Sequence, residues 1–419
     1  MAVPEQIIYV YENWSSETPA LLGRLFVNYV RGQETFAFEY DGSWLRGCGG
    51  RAFLDPDLAL YGGRQYTPIN KSQFGLFSDS CPDRWGRLLM KRKEAIQARK
   101  EDRKPKQLTE SDYLLGVYDE SRMGALRFCL QEGGPFLSCD QAMATPPWVT
   151  LRSLEAASLS FEKAEDGLGE VWLKQLLAPG SSLGGARPKA TVQAPDGSLW
   201  IAKFPSKNDE HNSGTWEKVV HDLARMCGLD VPESKLETFS KYGGTFLVKR
   251  FDRDGTRRIH FASAMTLLGK TDGASGQDGS SYLDLMSFIR SNGAMPQKDL
   301  LELWKRIVFN MAVSNTDDHL RNHGFVLTED GWRLSPMYDV NPVPYGDQLS
   351  LNVSEDDATI SMELALDVAS LFGLEGKDAS RISENICSVV RDNWIRLATQ
   401  YGLGRSEIEL MRPAFSACG

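Results

Sequence analysis

The sequence predicts an α+β protein with a β-rich N-terminal domain, a small mixed lobe and a mainly helical C-terminal lobe. Three observations predict it. Short runs of β-branched and aromatic residues crowd the first third of the chain. The middle mixes strand and helix signals around a loop rich in glycine and serine. Beyond about residue 253, apolar residues recur with the helical period. A chain of 419 residues has room for two or three domains, which the composition places at 1–150, 151–252 and 253–419.

The elements follow in order. Ile7–Tyr11, Gly23–Tyr29 and Thr35–Tyr40 read as strands separated by polar breaks. Asp79–Met90 (DSCPDRWGRLLM) reads as a helix entered through Pro82. It runs into Lys91–Lys106, where eight Lys or Arg residues stand against three acids. That run is either a solvated helix face and loop or a docking patch for a partner or nucleic acid. Two adjacent prolines in Ala142–Thr150 mark a boundary. Lys189–Gln193 and Leu199–Phe204 are strands joined by the turn Pro195-Asp196-Gly197-Ser198. Trp216–Met226 is an amphipathic helix closed by Gly228. Leu236–Phe239 and Thr245–Phe251 form a hairpin around Tyr242-Gly243-Gly244. Asp299–Val313 carries apolar residues at 300, 303, 304, 307, 308, 311 and 312, with Asp299 as the expected N-cap. A second hairpin, Gly324–Leu327 with Trp332–Met337, precedes helices to the C-terminus.

Composition narrows the function classes. A formal net charge of −9 argues against nucleic-acid binding by the molecule as a whole. Seven cysteines stand singly, without a Cys-x-x-Cys pair, which fits reduced thiols better than a disulfide framework. The N-terminal stretch MAVPEQIIYVYENW lacks a basic region followed by a long apolar run, so no secretory leader is expected. No apolar run is long enough for a membrane span. The expected compartment is the cytoplasm, with no membrane partner.

The chemistry sits in a few polar positions. Phosphoryl transfer needs a cradle for phosphates, a cation to hold them, oxygen ligands for Mg²⁺ and a group that orients the acceptor hydroxyl. Asn315-Thr316-Asp317-Asp318-His319-Leu320-Arg321-Asn322 places Asp317 and Asn322 five residues apart. That is the spacing of a kinase catalytic loop, with base and metal-binding amide. The hairpin follows, and Met337-Tyr338-Asp339-Val340 then puts Asp339 where the second metal-binding carboxylate belongs. Hard Mg²⁺ takes one or two carboxylates with phosphate oxygens and water rather than a full protein cage. Upstream, Gly180-Ser181-Ser182-Leu183-Gly184-Gly185, followed by Ala186, is a candidate phosphate loop, although neither a GxGxxG nor a Walker motif. Lys203, flanked by apolar strand residues, needs an anionic partner, and Glu217 in the next helix is the candidate; the alternative is an edge-strand lysine reaching solvent. His319 is either a nucleotide contact or a structural loop histidine, and His323 reads as structural. A transition-metal site is disfavoured by only five histidines and no HExxH. Small mixed lobe, hairpin and helical lobe, with these residues, make a kinase-like order.

These segments resemble the HipA family of serine/threonine kinase toxins from bacterial HipBA toxin–antitoxin modules. The resemblance is carried by SSLGGARPKA (181–190), WIAKFP (200–205), VKRFDR (248–253), SNTDDHLRNHGF (314–325), SPMYDV (335–340) and FSDSCPDRWGRLLM (77–90), and spans most of the chain. It implies a bilobal protein-kinase-like fold behind an extra N-terminal domain, and ATP and Mg²⁺ as cofactors. Asp317 would be the base, Asn322 and Asp339 the Mg²⁺ ligands, and Lys203 the phosphate-binding cation. The Lys249–Phe251 backbone would be the adenine-reading hinge, with Asp252 near the ribose. Ser182 falls where the family places an autophosphorylated serine whose modification ejects the loop; Ser181 beside it leaves open which one is modified. Arg187 and Pro188 depart from the expected pattern without removing a catalytic group. The resemblance further implies a protein substrate such as an aminoacyl-tRNA synthetase, and a HipB-like helix-turn-helix antitoxin through which DNA would be met indirectly. Two alternatives stay open: a small-molecule phosphotransferase, and an inactive kinase-like binding module.

Overall fold

Strands open the chain. A computed structural model describes residues 5–30, 32–47, 53–139, 144–162, 176, 185 and 187–418. The chain divides into two compact units, one of residues 1–202 and 250–262, the other of 203–249 and 263–419, so segment 151–252 contributes to both.

In the first unit β1 (Gln6–Glu12), β2 (Ala20–Val30), β3 (Gln33–Tyr40), β4 (Gln65–Tyr66) and β5 (Leu126–Cys129) form an antiparallel sheet of order β4-β3-β2-β1-β5. In β1 buried Ile8 and Val10 alternate with half-buried neighbours, as in a strand with one face on a core, whereas β2 and β3 bury successive residues, Leu25–Val27 and Phe36–Phe38. A bulge between Val10 and Tyr11 shifts the β1–β2 register. The helix expected from Asp79 begins later. A short helix, Gly75–Ser78, comes first, and α1 spans Arg84–Lys100 because Asp83 caps it, accepting from Gly86 N at 2.8 Å. The basic run forms the outer turns of α1 and the loop beyond, where Arg103 pairs with Glu94 and Glu101, and Lys106 with Asp112.

Asp83 has a second role. Its other oxygen accepts from Lys189 Nζ at 2.8 Å, both groups buried, and Trp85 Nε1 donates to the Lys189 carbonyl at 3.1 Å. Two of the segments that carry the sequence resemblance thus meet in one buried ion pair. Lys189 lies in β6 (Lys189–Gln193), which neighbours β7 (Leu199–Lys203) across the expected turn. A 3₁₀ turn, Trp148–Thr150, follows the proline pair, and the helix α2 (Leu151–Glu162) continues from it.

Asp252, which the resemblance places near a ribose, has no face left for one. It is 0% exposed, and its oxygens accept from Arg250 Nε (2.8 Å) and Nη2 (2.6 Å), Arg253 Nη1 (2.7 Å) and Gly124 N (2.8 Å). Arg250 and Arg253 also donate to the carbonyls of Ser121, Arg122 and Gly124, clamping that turn. Its geometry is that of a structural anchor.

The second unit starts at Lys203 and carries α3 (Ser213–Met226), the hairpin β8 (Ser234–Ser240) and β9 (Gly243–Lys249), α4 (Tyr282–Asn292), α5 (Pro296–Ala312), the hairpin β10 (Gly324–Thr328) and β11 (Gly331–Leu334), and α6 (Gly376–Gln400). α3 begins one turn earlier than expected because Asn212 caps it, accepting from Thr215 N, while the same oxygen takes Gly244 N at 2.9 Å. Close approach there requires glycine: a Cβ on Gly214 would stand 2.1 Å from the Gly244 carbonyl oxygen. At the other end Gly228 (φ 69°) closes α3, with Leu229 N donating to Ala224 O and Gly228 N to Arg225 O. In α5 all seven expected apolar positions are buried. Asp299 is not its cap: Pro296 supplies the first turn, and buried Asp299 instead accepts from Arg333 and from Leu334 N. The hairpin strand expected to reach Phe251 ends at Lys249, and the one expected to reach Met337 ends at Leu334.

Burial alone would raise the Asp252 pKa, but Arg250 and Arg253 outweigh it and hold it at about 2, against 3.8 for a free carboxylate. Because the folded value lies below the unfolded one, the stabilisation is complete above about pH 4 and is lost as pH falls toward 2; a gap of this size is worth about 2 kcal/mol. Urea unfolding should show Asp252→Asn destabilised by about 3–5 kcal/mol at neutral pH. Between pH 4 and 2 the variant should lack this part of the wild-type decline.

Candidate active site

Of the polar positions singled out in the sequence, Lys203, Glu217, Asp317, His319, Asn322 and Asp339 lie in the second unit. Lys203, at the end of β7, is buried, and its ammonium lies 2.6 Å from Glu217 Oε1 and 2.6 Å from Asp339 Oδ1. Glu217 is buried on α3, so the glycine contact that seats that helix also places the carboxylate. Burial by itself would drive the lysine toward neutrality, but Asp339 and then Glu217 outweigh it and raise its pKa. One cation between two carboxylates leaves an excess negative charge. Asp339 is the more exposed acid, at 25% against 5% for Glu217. It is also held at φ 57°, the left-handed region that a non-glycine residue rarely enters, and strain of this kind gathers at functional sites.

Asp317 and Asp318, adjacent in sequence, have opposite environments. Asp317 is exposed, and its carbonyl accepts from Asn322 Nδ2 at 2.8 Å and from His319 N at 3.0 Å, folding the loop back on itself. Asp318 is buried, and its Oδ2 gathers the Tyr282 hydroxyl, Asn310 Nδ2 (2.5 Å) and His323 Nε2 (2.9 Å). His323 is therefore structural, as expected. The carboxylate beside it pushes the buried Tyr282 hydroxyl, already raised by burial, well above its ordinary pKa. Sequence reasoning did not single out Tyr282, Asn310 or Asp318 as anchors. The signal available was a second aspartate directly beside the proposed base, with no separate task for it.

The donor set fits Mg²⁺. Asn322 Oδ1 is buried and has no hydrogen-bond partner among the described residues, an acceptor left open for a cation. With Asp339 it offers one amide oxygen and one carboxylate. Among the described residues no group of three or more His, Cys, Asp or Glu side chains forms a protein cage, and Mg²⁺ bound through substrate phosphates does not call for one. His319 is partly buried, and its Nδ1 makes no hydrogen bond among the described residues. Lys249 closes β9, its N–H donating to Glu233 O at 2.8 Å; Phe251 lies in the first unit, against Phe261. Of the candidate phosphate loop, Gly185 is described, exposed at φ 66°; Ser181, Ser182, Gly184 and Ala186 lie outside the described residues.

Among the described residues no helix is long and apolar enough to cross a membrane. The model of the HipA-like C-terminal domain matches residues 181–394, just over half of the chain. The chain is 29% identical over 248 residues to the proposed kinase Y4mE of Sinorhizobium fredii, covering 53% of this chain and 51% of that protein. It is 24% identical over 213 residues to the serine/threonine-protein kinase toxin HipA of Shewanella oneidensis, covering 42% of this chain and 48% of that one. The chain thus spans about half the length of the curated relatives it matches. Among solved structures, the Shewanella oneidensis HipA–HipB–operator DNA complex aligns over 98% of this chain and 96% of the matched chain, with a TM-score of 0.68 at 18% identity. That likeness establishes the fold as α+β and HipA-like. With a family model matched over residues 181–394, this chain belongs to the HipA-like C-terminal domain family.

Proposed function

We propose that the protein is an ATP- and Mg²⁺-dependent serine/threonine protein kinase acting as the toxin of a toxin–antitoxin pair. The observation that carries this reading is the Lys203 ammonium held between Glu217 and Asp339, in the same unit as exposed Asp317 and the open Asn322 oxygen. In this reading Asp317 orients the acceptor hydroxyl and takes its proton. Lys203, fixed by Glu217, contacts nucleotide phosphates. Asn322 and Asp339 hold Mg²⁺, which when bound neutralises charge on the transferring phosphoryl group. Lys249 and Phe251 supply the hinge backbone, His319 a nucleotide contact, and Gly184, Gly185 and Ala186 the phosphate loop. Asp252 is left out, its oxygens being occupied.

The resemblance extends the proposal to autophosphorylation at Ser182 or Ser181. A phosphoserine there, carrying close to two negative charges, would repel the phosphates it had cradled. The relative's complex with HipB and operator DNA supports a HipB-like partner, with DNA met through it. A translation component such as an aminoacyl-tRNA synthetase is the proposed protein substrate.

Labelled ATP and Mg²⁺, incubated with the protein and with Asp317→Ala, test the core of this. Label on Ser181 or Ser182, reduced about 10²–10⁴-fold in the variant, is expected. Protein that binds ATP yet takes no label, and was unmodified beforehand, would turn the reading toward a small-molecule acceptor. Unmodified protein that neither binds nucleotide nor takes label would sink the kinase reading.

Glu217→Gln separates positioning from chemistry. Lys203 keeps Asp339 but loses the charge that anchors it to α3. The apparent ATP affinity should fall roughly ten- to a hundredfold, the usual cost of losing a group that orients a binding residue. Steady-state kinetics should show the loss in KM for ATP more than in the acceptor KM.

A further inference from the structure

An unbroken series of hydrogen bonds joins the loop bearing Asp317 to the segment bearing Asp339. Asn310 on α5 donates through Nδ2 to Asp318 Oδ2, and its Oδ1 accepts from Asn315 Nδ2 at 3.1 Å. Asn315 Oδ1 accepts from the backbone N–H of Asn341 at 3.2 Å. The Asn341 side chain donates through Nδ2 to Asp339 Oδ1 at 3.4 Å, the oxygen that also takes Lys203. Asn310 and Asn315 are 0% exposed.

The chemistry of this ladder is specific to amides. A carboxamide carries a donor and an acceptor on one rigid plane, so accepting from one neighbour fixes what it can donate to the next. Aspartate at 315 would lack the donor to Asn310; leucine would strand the Asn310 oxygen and the Asn341 N–H in the interior. Other bonds tie the same two segments: Val343 N donates to Ser314 O at 3.0 Å, and Ser350 Oγ to Thr316 O at 2.8 Å. Those fix the path of the backbone. Tyr338 Oη also donates to the Arg321 carbonyl at 2.8 Å, tying the residue before Asp339 to the one before Asn322. The ladder runs from the carboxylate beside the proposed base to the carboxylate proposed to meet the metal.

We propose that Asn315, backed by Asn310, is a positioning residue that sets the separation between the base-bearing loop and Asp339. The role rests on the kinase reading above and adds to it: proton acceptor and metal ligand must address one phosphoryl group, and a misplacement of an ångström is costly. Neither asparagine contacts reacting atoms. Their effect passes through Asp339 and the neighbour of Asp317.

The test uses the full chain. Mn²⁺ affinity, read by electron paramagnetic resonance with a non-hydrolysable ATP analogue present, is compared with kcat for Asp317-dependent phosphoryl transfer. Asn315→Ala should weaken Mn²⁺ binding five- to tenfold and lower kcat by one to two orders of magnitude, while metal-free binding of the analogue stays unchanged. Should that variant fail to fold, Tyr282→Phe and Asn341→Ala thin the ladder at its ends. Each should lower kcat severalfold, and together by less than the product of the two, since distant independent sites would multiply. Unchanged Mn²⁺ affinity, or strictly multiplicative end variants, would overturn the proposal while leaving the kinase reading intact. Weakened Mn²⁺ binding by Asn315→Ala in a protein that transfers no phosphate would retain the positioning role and remove the kinase reading instead.

Discussion

A buried ammonium sets the terms for the site. Lys203 stands between Glu217 and Asp339 with almost no access to water, and a charge in that position persists only if its partners are held on rigid elements. Much of the local architecture serves that condition. Gly214 lets the start of α3 press against Gly244, Asn212 caps the helix and ties it to β9, and Gly228 closes its far end. Glu217 is thereby fixed relative to the strand hairpin. On the other side, Asp339 emerges beyond β11 in a strained left-handed conformation, carried there by a hairpin whose return strand is tied to α5 through Arg333 and Asp299. The residue that reads from sequence as a helix cap is thus a tether for the segment that carries Asp339.

The same logic separates the two adjacent aspartates. A carboxylate that accepts three buried donors cannot also serve as a proton acceptor at an open site, and one exposed to solvent cannot anchor a loop. Asp318 is the anchor, and in the proposed function the exposed Asp317 is the proton acceptor. Bonds within the loop, from His319 N and the Asn322 side-chain Nδ2 to the Asp317 carbonyl, fold the loop back while the Asn322 oxygen stays buried and without a partner among the described residues.

How much of this was legible follows from what kind of interaction each residue makes. Lys203 with Glu217 could be read because a charged residue in an apolar strand demands a partner and a helix follows at the right distance. Asp317, Asn322 and Asp339 could be singled out as candidates because their spacing is set by local backbone, loop and hairpin. The strands and the apolar face of α5 were legible from periodicity, although Pro296 and Asn212 moved two helix starts. Asn310, Asn315 and Asn341 were not, since neutral amides carry no charge imbalance and their pairing depends on tertiary placement. Asp252 was misread toward a ligand although Arg250 and Arg253 stand within two residues of it; the remote Gly124 N–H completed a shell that sequence does not display.

These distinctions bear on why a kinase-like site survives in a chain so diverged from its relatives. At 18% identity to a solved HipA most residues differ while the fold is retained, because volume and pattern suffice for packing. A buried charge is less forgiving. Removing Asp339 would leave Lys203 and Glu217 in a one-to-one pair and free the Asn341 amide, whereas removing Lys203 would bury two carboxylates facing each other. Stability and chemistry therefore lean on the same three side chains. Loss of any one of them would require this part of the core to be rebuilt as well. The Asn322 oxygen, buried and without a hydrogen-bond partner among the described residues, has no comparable structural justification, and in the proposed function it is the acceptor left for the metal.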